Sequence, residues 1–293
     1  MKRILITNDD GVQSLGLLAL KQALAPLAEI IVFAPDRNWS AAGHTKTMHK
    51  PLRVSQVTLA DGSPAFATTG APSDCVSLAL LGLVPQAPDL IVSGINQGAN
   101  VGHDITYSGT VAGAMEGVVA GLPAIAVSVE WSATIDYEPA AAATAQLVRQ
   151  IFAHGLPPNS FLNVNAPALP RDAIRGLRRT RLGQRVYHDK LIERHDPRGR
   201  PYYWIGGDPP GGIPDEAGQT DVGALALGFI SVTPLTLDMT DQALLGALAA
   251  WVRPPERAAP RAGPRPRGSA PGGRRASRRT RPRTPGRAGR RAA

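Results

Sequence analysis

The residues best suited to chemistry are two adjacent aspartates, Asp9 and Asp10, which follow the apolar run Ile4–Thr7 almost directly. Such a run predicts a buried strand of an α/β sheet, and side chains just past the carboxyl end of such a strand lie where these folds bind ligands. Two neighbouring carboxylates repel each other and lose hydration there, and a divalent cation relieves both costs. The alternative is an ordinary polar turn, because Asn, Asp and Gly form turns.

Three further loops carry polar side chains at corresponding positions. Ser40 lies in the loop after the apolar run Ile30–Ala34, and Asn96 follows the run Asp89–Ile95. The segment Ser108–Thr110 stands at the start of a predicted helix. Because the carboxyl ends of parallel strands share one edge of a sheet, we expect these loops to converge on the aspartate pair.

The converging groups are carboxylates, hydroxyls and amides, and such oxygen ligands suit Mg²⁺, Mn²⁺ or Ca²⁺ rather than zinc. None of the six histidines has metal-motif spacing with another, which also argues against zinc. His44 and His103 lie in the converging loops and are either proton donors or ordinary surface residues.

The helix start at Ser108 offers a place for an anion. The first turn of a helix presents free N–H groups and the positive end of the helix dipole, and Gly109 allows close approach. A phosphate beside the metal is therefore predicted. The alternative is that Ser108 only caps the helix.

Strand and helix patterns alternate through the first half of the chain, which predicts a three-layer α/β fold, a mainly parallel sheet with helices on both faces. The predicted strands are Ile4–Thr7, Ile30–Ala34, Asp89–Ile95, Ala124–Val129 and Phe161–Val164. The predicted helices are Leu15–Leu27, Pro72–Leu83, Ser108–Gly121 and Pro139–Ala153.

Glycine patterns exclude two nucleotide-binding classes. The chain has no G-x-x-x-x-G-K-[ST] motif and no G-x-G-x-x-G after the first strand, which argues against a P-loop enzyme and a Rossmann dehydrogenase. Gly109, Gly113, Gly117 and Gly121 recur every four residues, so they line one helix face. This spacing indicates close packing of the helix on the sheet.

From about residue 175 the polarity begins to alternate. Arg178–Tyr187 and Arg200–Ile205 predict a β-ribbon, Phe229–Pro234 a strand, and Asp241–Val252 a final amphipathic helix. A ribbon with little core of its own needs a partner surface. Residues 175–252 are therefore predicted to form an arm and extension that pack on the α/β body or on another subunit.

The net charge of +9 at first suggests a nucleic-acid or membrane partner, but residues 253–293 hold fourteen arginines and one acidic residue. The rest of the chain is therefore mildly acidic. Because 36 of these 41 residues are Arg, Pro, Gly or Ala, we predict a disordered tail. An RNA- or phosphate-binding arm is one interpretation, and the lack of interleaved aromatic residues favours a solvated tail without a role.

The cysteine count and the hydropathy of the chain limit where in the cell the protein is expected. The single Cys75 cannot form an internal disulfide, and its apolar helical surroundings predict a buried structural thiol. No stretch approaches the ~20 apolar residues that a membrane span needs. The N-terminal apolar run is too short for a signal peptide. We expect a soluble, cytoplasmic protein with no membrane partner.

On these residues the chain resembles the SurE family, the stationary-phase survival proteins, which are metal-dependent 5′-nucleotidases. The resemblance extends from about Lys2 to Trp251, and five motifs in the family's order and spacing make it specific. They are Ile4–Gly11, Ala34–Ser40, Ser93–Asn100, Tyr107–Val111 and Gly228–Leu235.

The resemblance implies hydrolysis of nucleoside 5′-monophosphates, with 3′-monophosphates and short polyphosphate as further substrates, and one Mg²⁺ or Mn²⁺ ion per subunit. The implied metal ligands are Asp9, Asp10, Ser40 and Asn96. The implied phosphate neighbours are Asn8, Asn96, Ser108, Gly109 and Thr110. The resemblance also implies a homodimer or homotetramer that exchanges C-terminal arms, with residues 1–252 as the phosphatase domain.

The mechanism we expect is direct hydrolysis, in which Asp9 orients or deprotonates the attacking water and Asn96 helps to stabilise the charge on phosphorus. A covalent aspartyl-phosphate on Asp9 is the rival mechanism. Enzymes of that kind generally carry a second aspartate two residues on, where this chain has Gly11. A rival of another class is a nucleic-acid-binding protein that acts through the basic tail.

Overall fold

The structure is a computed structural model that describes residues 1–252 of the 293-residue chain, apart from the side chains of residues 208–210. It divides into two units, Met1–Met239 and a second one that begins at Thr240. The predicted disordered tail, and with it the predicted nucleic-acid-binding role, lies outside the described residues. The domain boundary at residue 252 therefore stays a prediction.

The first unit contains eleven strands, nine of which form one mainly parallel sheet. The strands are β1 Arg3–Thr7, β2 Glu29–Pro35, β3 Val54–Thr58, β4 Pro64–Thr68, β5 Leu90–Gln97, β6 Ala124–Val129, β7 Ser160–Ala166, β8 Leu177–Arg179, β9 Gln184–His195, β10 Pro201–Ile213 and β11 Ile230–Thr236. The sheet order is β3-β4-β2-β1-β5-β6-β7-β11-β8. The six adjacent strands β4, β2, β1, β5, β6 and β7 are parallel to one another. β3 is antiparallel to β4, and β11 is antiparallel to β7. β9 and β10 pair with each other as an antiparallel ribbon.

The helices are α1 Leu15–Leu24, α2 Pro72–Leu78, α3 Gly109–Val119, α4 Glu138–His154, α5 Asp221–Ala226 and, in the second unit, α6 Gln242–Leu248. A π-helical turn, Ala79–Leu83, extends α2, and a short 3₁₀ turn, Gly102–Thr106, precedes α3. The longest helix, α4, ends with Gly155 at a φ of 73°, a conformation that favours glycine.

Each face of the sheet has its own hydrophobic core. Ile4 and Ile6 of β1 pack with the buried residues of α1 and α4, whereas Leu5 between them packs with those of α2 and α3. This alternation follows from the two-residue period of a strand, and it explains why a strand covered on both faces is a continuous apolar run. The predicted three-layer α/β fold is confirmed.

Several predicted boundaries were wrong. α1 ends at Leu24 instead of Leu27, because Pro26 cannot continue a helix. The predicted ribbon Arg178–Tyr187 with Arg200–Ile205 is instead β9 with β10, and Leu177–Arg179 joins the main sheet through β11. Alternating polarity is the same in a ribbon and at a sheet edge, so the pattern does not separate them. α6 spans seven residues rather than the whole of Asp241–Val252.

Two other predictions concern burial and membranes. Cys75 is a free thiol and fully buried, as predicted, and burial raises its pKa well above the usual value. In residues 1–252 the structure contains no helix of the length and apolarity that crossing a membrane requires.

Candidate active site

The aspartate pair lies at the carboxyl end of β1, which runs between β2 and β5 in the middle of the parallel sheet. Asp9 is 3% exposed, and the Thr110 hydroxyl donates a hydrogen bond to its Oδ1 atom. Burial raises the pKa of Asp9, and the hydrogen bond from the Thr110 side chain opposes that rise. The protein therefore holds this carboxylate in place while removing most of its water.

Asp10 is half-buried beside Asp9. Burial and, second, the negative charge of Asp9 raise the pKa of Asp10 to about 6. The backbone N–H of Gln97 lies 3.4 Å from its Oδ2 atom and partly offsets this effect. Two adjacent carboxylates with raised pKa values indicate a place that lacks positive charge, and a bound cation would supply it.

The first turn of α3 touches Asp9. Ser108 is the N-cap of α3, and its Oγ accepts a hydrogen bond from the Val111 N–H at 3.1 Å. A Cβ atom added to Gly109 would lie 2.8 Å from the Cβ of Asp9, which explains the need for glycine there. Ser108, Gly109 and Thr110 are thus brought to the aspartate pair, with the N–H groups of a helix start next to the carboxylates.

Asn96 lies at the end of β5, where the pairing with β6 shifts register after Ser93. Gly94 has a φ of 141°, and an added Cβ would lie 2.3 Å from the Val127 carbonyl oxygen, so no side chain fits. Such irregularities often redirect a side chain at a functional site. Asn96 Nδ2 donates to the Gly98 carbonyl oxygen at 2.7 Å, which leaves Oδ1 as the acceptor that faces away from that bond.

Asn8 is fully buried next to the pair. Its Nδ2 group donates to the Gly11 carbonyl oxygen at 3.0 Å and to Ser14 Oγ at 2.7 Å, and Ser14 caps α1. Its Oδ1 atom is buried and has no partner among the described residues. A buried carbonyl oxygen without a donor is costly, and a ligand donor or a cation would satisfy it.

Ser40 lies in the loop that follows β2, and this loop also reaches the pair. The Trp39 N–H donates to the Asp9 carbonyl oxygen at 2.8 Å, which brings the next residue, Ser40, to the rim of the site. Ser40 is exposed, and its N–H donates to Asn38 Oδ1 at 2.7 Å. Of the predicted ligands, Ser40 is the most open to solvent.

A buried carboxylate on α3, Glu116, anchors the Ser40 loop. His44 Nε2 and Lys46 Nζ each lie 3.1 Å from a Glu116 carboxylate oxygen, and the Ser77 hydroxyl donates to the same group. The hydrogen bond to His44 is the largest cause that lowers the pKa of Glu116, to about 2. The contact gives His44 a role in holding the loop, whereas His103 is exposed in the 3₁₀ turn.

We expect Glu116→Gln to lower the free energy of unfolding by about 2 kcal/mol at pH 7, because it weakens charge-assisted hydrogen bonds. Since the pKa of Glu116 is about 2 in the folded chain and 4.5 ordinarily, this stability is present above pH 4.5 and is lost as the pH falls toward 2. Urea unfolding at pH 7 and pH 3 measures the difference between the two proteins. A difference that stays constant over this range contradicts the assignment.

Sequence reasoning missed the residues that hold the loop after β5. Asn163 and Asn165 of β7 are fully buried, and their Nδ2 groups donate to the Asn100 carbonyl oxygen at 2.8 and 3.1 Å. Asn165 Oδ1 accepts the Asn100 N–H at 2.8 Å, and Asn100 Nδ2 donates to Ser128 Oγ at 2.8 Å. Two asparagines two residues apart in an apolar strand share one face, and this pattern was a usable signal.

The donor set fits a small hard cation. All the candidate donor atoms are oxygens, and two of the donor groups are carboxylates at the end of one strand. Two observations support the fit: the buried Oδ1 atom of Asn8 has no partner among the described residues, and the pKa values of Asp9 and Asp10 are raised. Within residues 1–252, no group of three or more His, Cys, Asp or Glu side chains is placed to hold a metal. A site with two carboxylates is typical of Mg²⁺, which retains waters and binds substrate phosphates.

The fold and the site together define a three-layer α/β protein with an oxygen-lined site at the carboxyl edge of its sheet. Comparison with known proteins narrows this class. The family model described as "Survival protein SurE" matches residues 4–189. The chain belongs to the SurE family, as its motifs predicted.

Relatives and a solved structure agree with this assignment. The chain is 50% identical over 254 residues to the 5′-nucleotidase SurE of Chloroflexus aggregans, covering 85% of this chain and 98% of that protein. It is 52% identical over 246 residues to the protein of the same name from Herpetosiphon aurantiacus, with 81% and 93% covered. The crystal structure of the SurE protein from Aquifex aeolicus is 40% identical with a TM-score of 0.73, and covers 85% of this chain and 99% of that one.

Proposed function

We propose that this chain is a 5′-nucleotidase, which hydrolyses nucleoside 5′-monophosphates to nucleoside and phosphate. The observation that carries the proposal is the contact between a buried carboxylate, Asp9, and the first turn of α3 at the carboxyl edge of a parallel sheet. The curated relatives named 5′-nucleotidase support the choice of substrate. 3′-Monophosphates and short polyphosphate are further substrates under this proposal.

In this proposal Asp9, Asp10, Ser40 and Asn96 hold one Mg²⁺ or Mn²⁺ ion per subunit. When bound, the ion neutralises negative charge and lowers the pKa of bound water. The four residues come from three loops. The Gln97 N–H approaches Asp10 Oδ2 at 3.4 Å, and the Trp39 N–H donates to the Asp9 carbonyl oxygen at 2.8 Å. Their oxygen atoms suit either metal.

The residues of the chain perform the remaining steps. The substrate phosphate binds at the N–H groups of the first turn of α3, beside Ser108, Gly109 and Thr110. Asp9 orients the attacking water and accepts its proton, and the Thr110 hydroxyl holds the carboxylate for this task. The Asn96 side chain stabilises the charge that develops on the phosphoryl oxygens, and Asn8 is a further neighbour of the phosphate.

We expect removal of divalent metal with EDTA to lower the rate of AMP hydrolysis by about 100-fold or more, because the uncompensated carboxylates repel the phosphate. Dialysis followed by addition of Mg²⁺ or Mn²⁺ should restore the rate. Phosphate release from AMP, 3′-AMP and tripolyphosphate, each measured with and without metal, also defines the substrate range. Unchanged turnover in excess EDTA contradicts the role given to the metal.

Assembly and location complete the proposal. The β9–β10 ribbon exposes apolar side chains, with Leu191 72% and Ile205 82% exposed, and a two-stranded ribbon is marginal alone. We therefore infer a homodimer or homotetramer in which such arms are exchanged. A single free and buried cysteine supports a location in the cytoplasm.

A further inference from the structure

The two halves of the site are joined by residues 98–107, here called the site loop, which runs from the end of β5 to the N-cap of α3. Asn96 precedes it and Ser108 follows it. It therefore connects the strand end that carries Asn96 to the first turn of α3. Asn100 attaches its first part to β7, as described above.

A second attachment comes from a distant part of the chain, Asp221 at the start of α5. Asp221 is fully buried, and its Oδ2 atom accepts the Gly102 N–H of the site loop at 2.9 Å. Its Oδ1 atom accepts the N–H groups of Gly183 at 2.7 Å and Val222 at 2.8 Å. One carboxylate thus joins the site loop to the residue that precedes β9.

The backbone of the site loop touches the same segment directly. Gly102 has a φ of +55°, and an added Cβ would lie 2.8 Å from the Gly183 carbonyl oxygen. Two turns of chain therefore meet without a side chain between them. A third link lies beside them, since Arg185 Nε donates to Asp104 Oδ2 at 2.8 Å and the Tyr187 hydroxyl donates to Asp104 Oδ1.

Capping α5 does not account for Asp221. The N-cap of α5 is Thr220, whose hydroxyl accepts the Gly223 N–H at 3.0 Å. Asp215 in turn accepts the N–H groups of Gln219 at 2.6 Å and Thr220 at 2.9 Å. These two residues satisfy the N–H groups of Gln219, Thr220 and Gly223. Asp221 Oδ1 satisfies that of Val222, whereas the Oδ2 atom of Asp221 binds a residue 119 positions away.

We propose that Asp221 is a positioning residue for the active site, which holds Gly102 and thereby sets the site loop between Asn96 and the first turn of α3. Asp221 touches neither substrate nor metal in this scheme. The inference rests on the proposed function for its kinetic part only, because the position of the site loop is itself measurable.

The test compares Asp221→Asn with Asp215→Asn. Asparagine keeps the shape of Asp221 but turns an NH₂ group toward N–H donors, so at least one of its three bonds is lost. We expect kcat for AMP at saturating Mg²⁺ to fall about 10- to 100-fold, since small displacements of catalytic groups have effects of this size. KM should change less than about threefold, because the first turn of α3 keeps its own contacts to Asp9.

Asp215→Asn is the control, because it also removes a carboxylate with three hydrogen-bond donors. These are the N–H groups of Gln219 and Thr220 and the Thr220 hydroxyl, none of which belongs to the site loop. It should keep kcat within about twofold of the original protein. Amide hydrogen exchange should accelerate in residues 98–107 of Asp221→Asn and not of Asp215→Asn. This second measurement remains valid if AMP proves not to be a substrate.

Equal losses of kcat in both variants, or unchanged exchange of the site loop in Asp221→Asn, would overturn the proposal. Should Asp221→Asn fail to fold, Asp104→Asn tests the neighbouring link, and it should accelerate exchange in the same residues and lower kcat several-fold. If Asp104→Asn then had a normal kcat and normal amide hydrogen exchange in residues 98–107, the proposal that these contacts position the site loop would be overturned.

Discussion

Asp9→Asn should lower kcat for AMP by about 10²- to 10⁴-fold, the range expected when a general base is removed. Asparagine has the size of aspartate and can still accept the hydrogen bond from the Thr110 hydroxyl, so the geometry of the site should survive. What it lacks is the charge and the basicity that the attacking water requires. Phosphate release at saturating Mg²⁺ measures the loss.

Asp36→Asn is the control for this prediction. Asp36 directly follows β2, so it also stands at a strand end. Its side chain is 39% exposed, and among residues 1–252 only Arg37, at 3.7 Å, forms an ion pair with it. Its replacement should leave kcat within about twofold. Burial disfavours the charged form of Asp9, so Asp9→Asn should melt no lower than the original protein. Near-normal turnover in Asp9→Asn would remove this residue from the mechanism.

Gly109→Ala should lower kcat by about 100-fold without weakening α3. The backbone at Gly109 is helical and alanine favours helices, so the change is harmless to the helix itself. The added methyl group, however, would lie 2.8 Å from the Cβ and 2.9 Å from the Oδ2 of Asp9, and it must displace the carboxylate. The kinetics of AMP hydrolysis and the affinity for Mg²⁺ both report this displacement.

Gly117→Ala is the matched control on the same helix. Its methyl group would lie 2.6 Å from Ile91 Cγ1 in the hydrophobic core, far along α3 from its first turn. Overpacking there should cost about 1–3 kcal/mol of stability, while kcat per folded molecule stays unchanged. If Gly109→Ala retained full turnover and Gly117→Ala did not, the catalytic carboxylate would have to lie elsewhere.

Local sequence pattern predicted the centre of this fold well. The apolar runs of β1 and β5 are covered on both faces, so their ends, and hence Asp9 and Asn96, were readable from the chain alone. The hairpin of β3 and β4 was missed, because β3 is an exposed edge strand of sequence VSQVT with no apolar run. Where burial is absent, the periodicity that reveals a strand is absent too.

The residues that hold the loops of the candidate site were harder to predict than the polar residues at the strand ends. Ser40 followed from its place after a strand and from the family motif, and the hydrogen bond from Trp39 to Asp9 accounts for its position. By contrast, nothing near Asp221 in the chain indicates that its partner is Gly102. Contacts between segments so far apart are set by the packing of whole elements, which local propensity does not contain.

The long separation between Gly102 and Asp221 has a consequence for how the protein is made. A ribosome completes the aspartate pair within the first ten residues, yet the residue that secures the site loop emerges more than two hundred residues later. A chain interrupted between Thr110 and Asp221 therefore contains all the candidate site residues but not the carboxylate that binds the Gly102 N–H. Under the proposed function, full turnover is expected only of chains finished at least as far as α5.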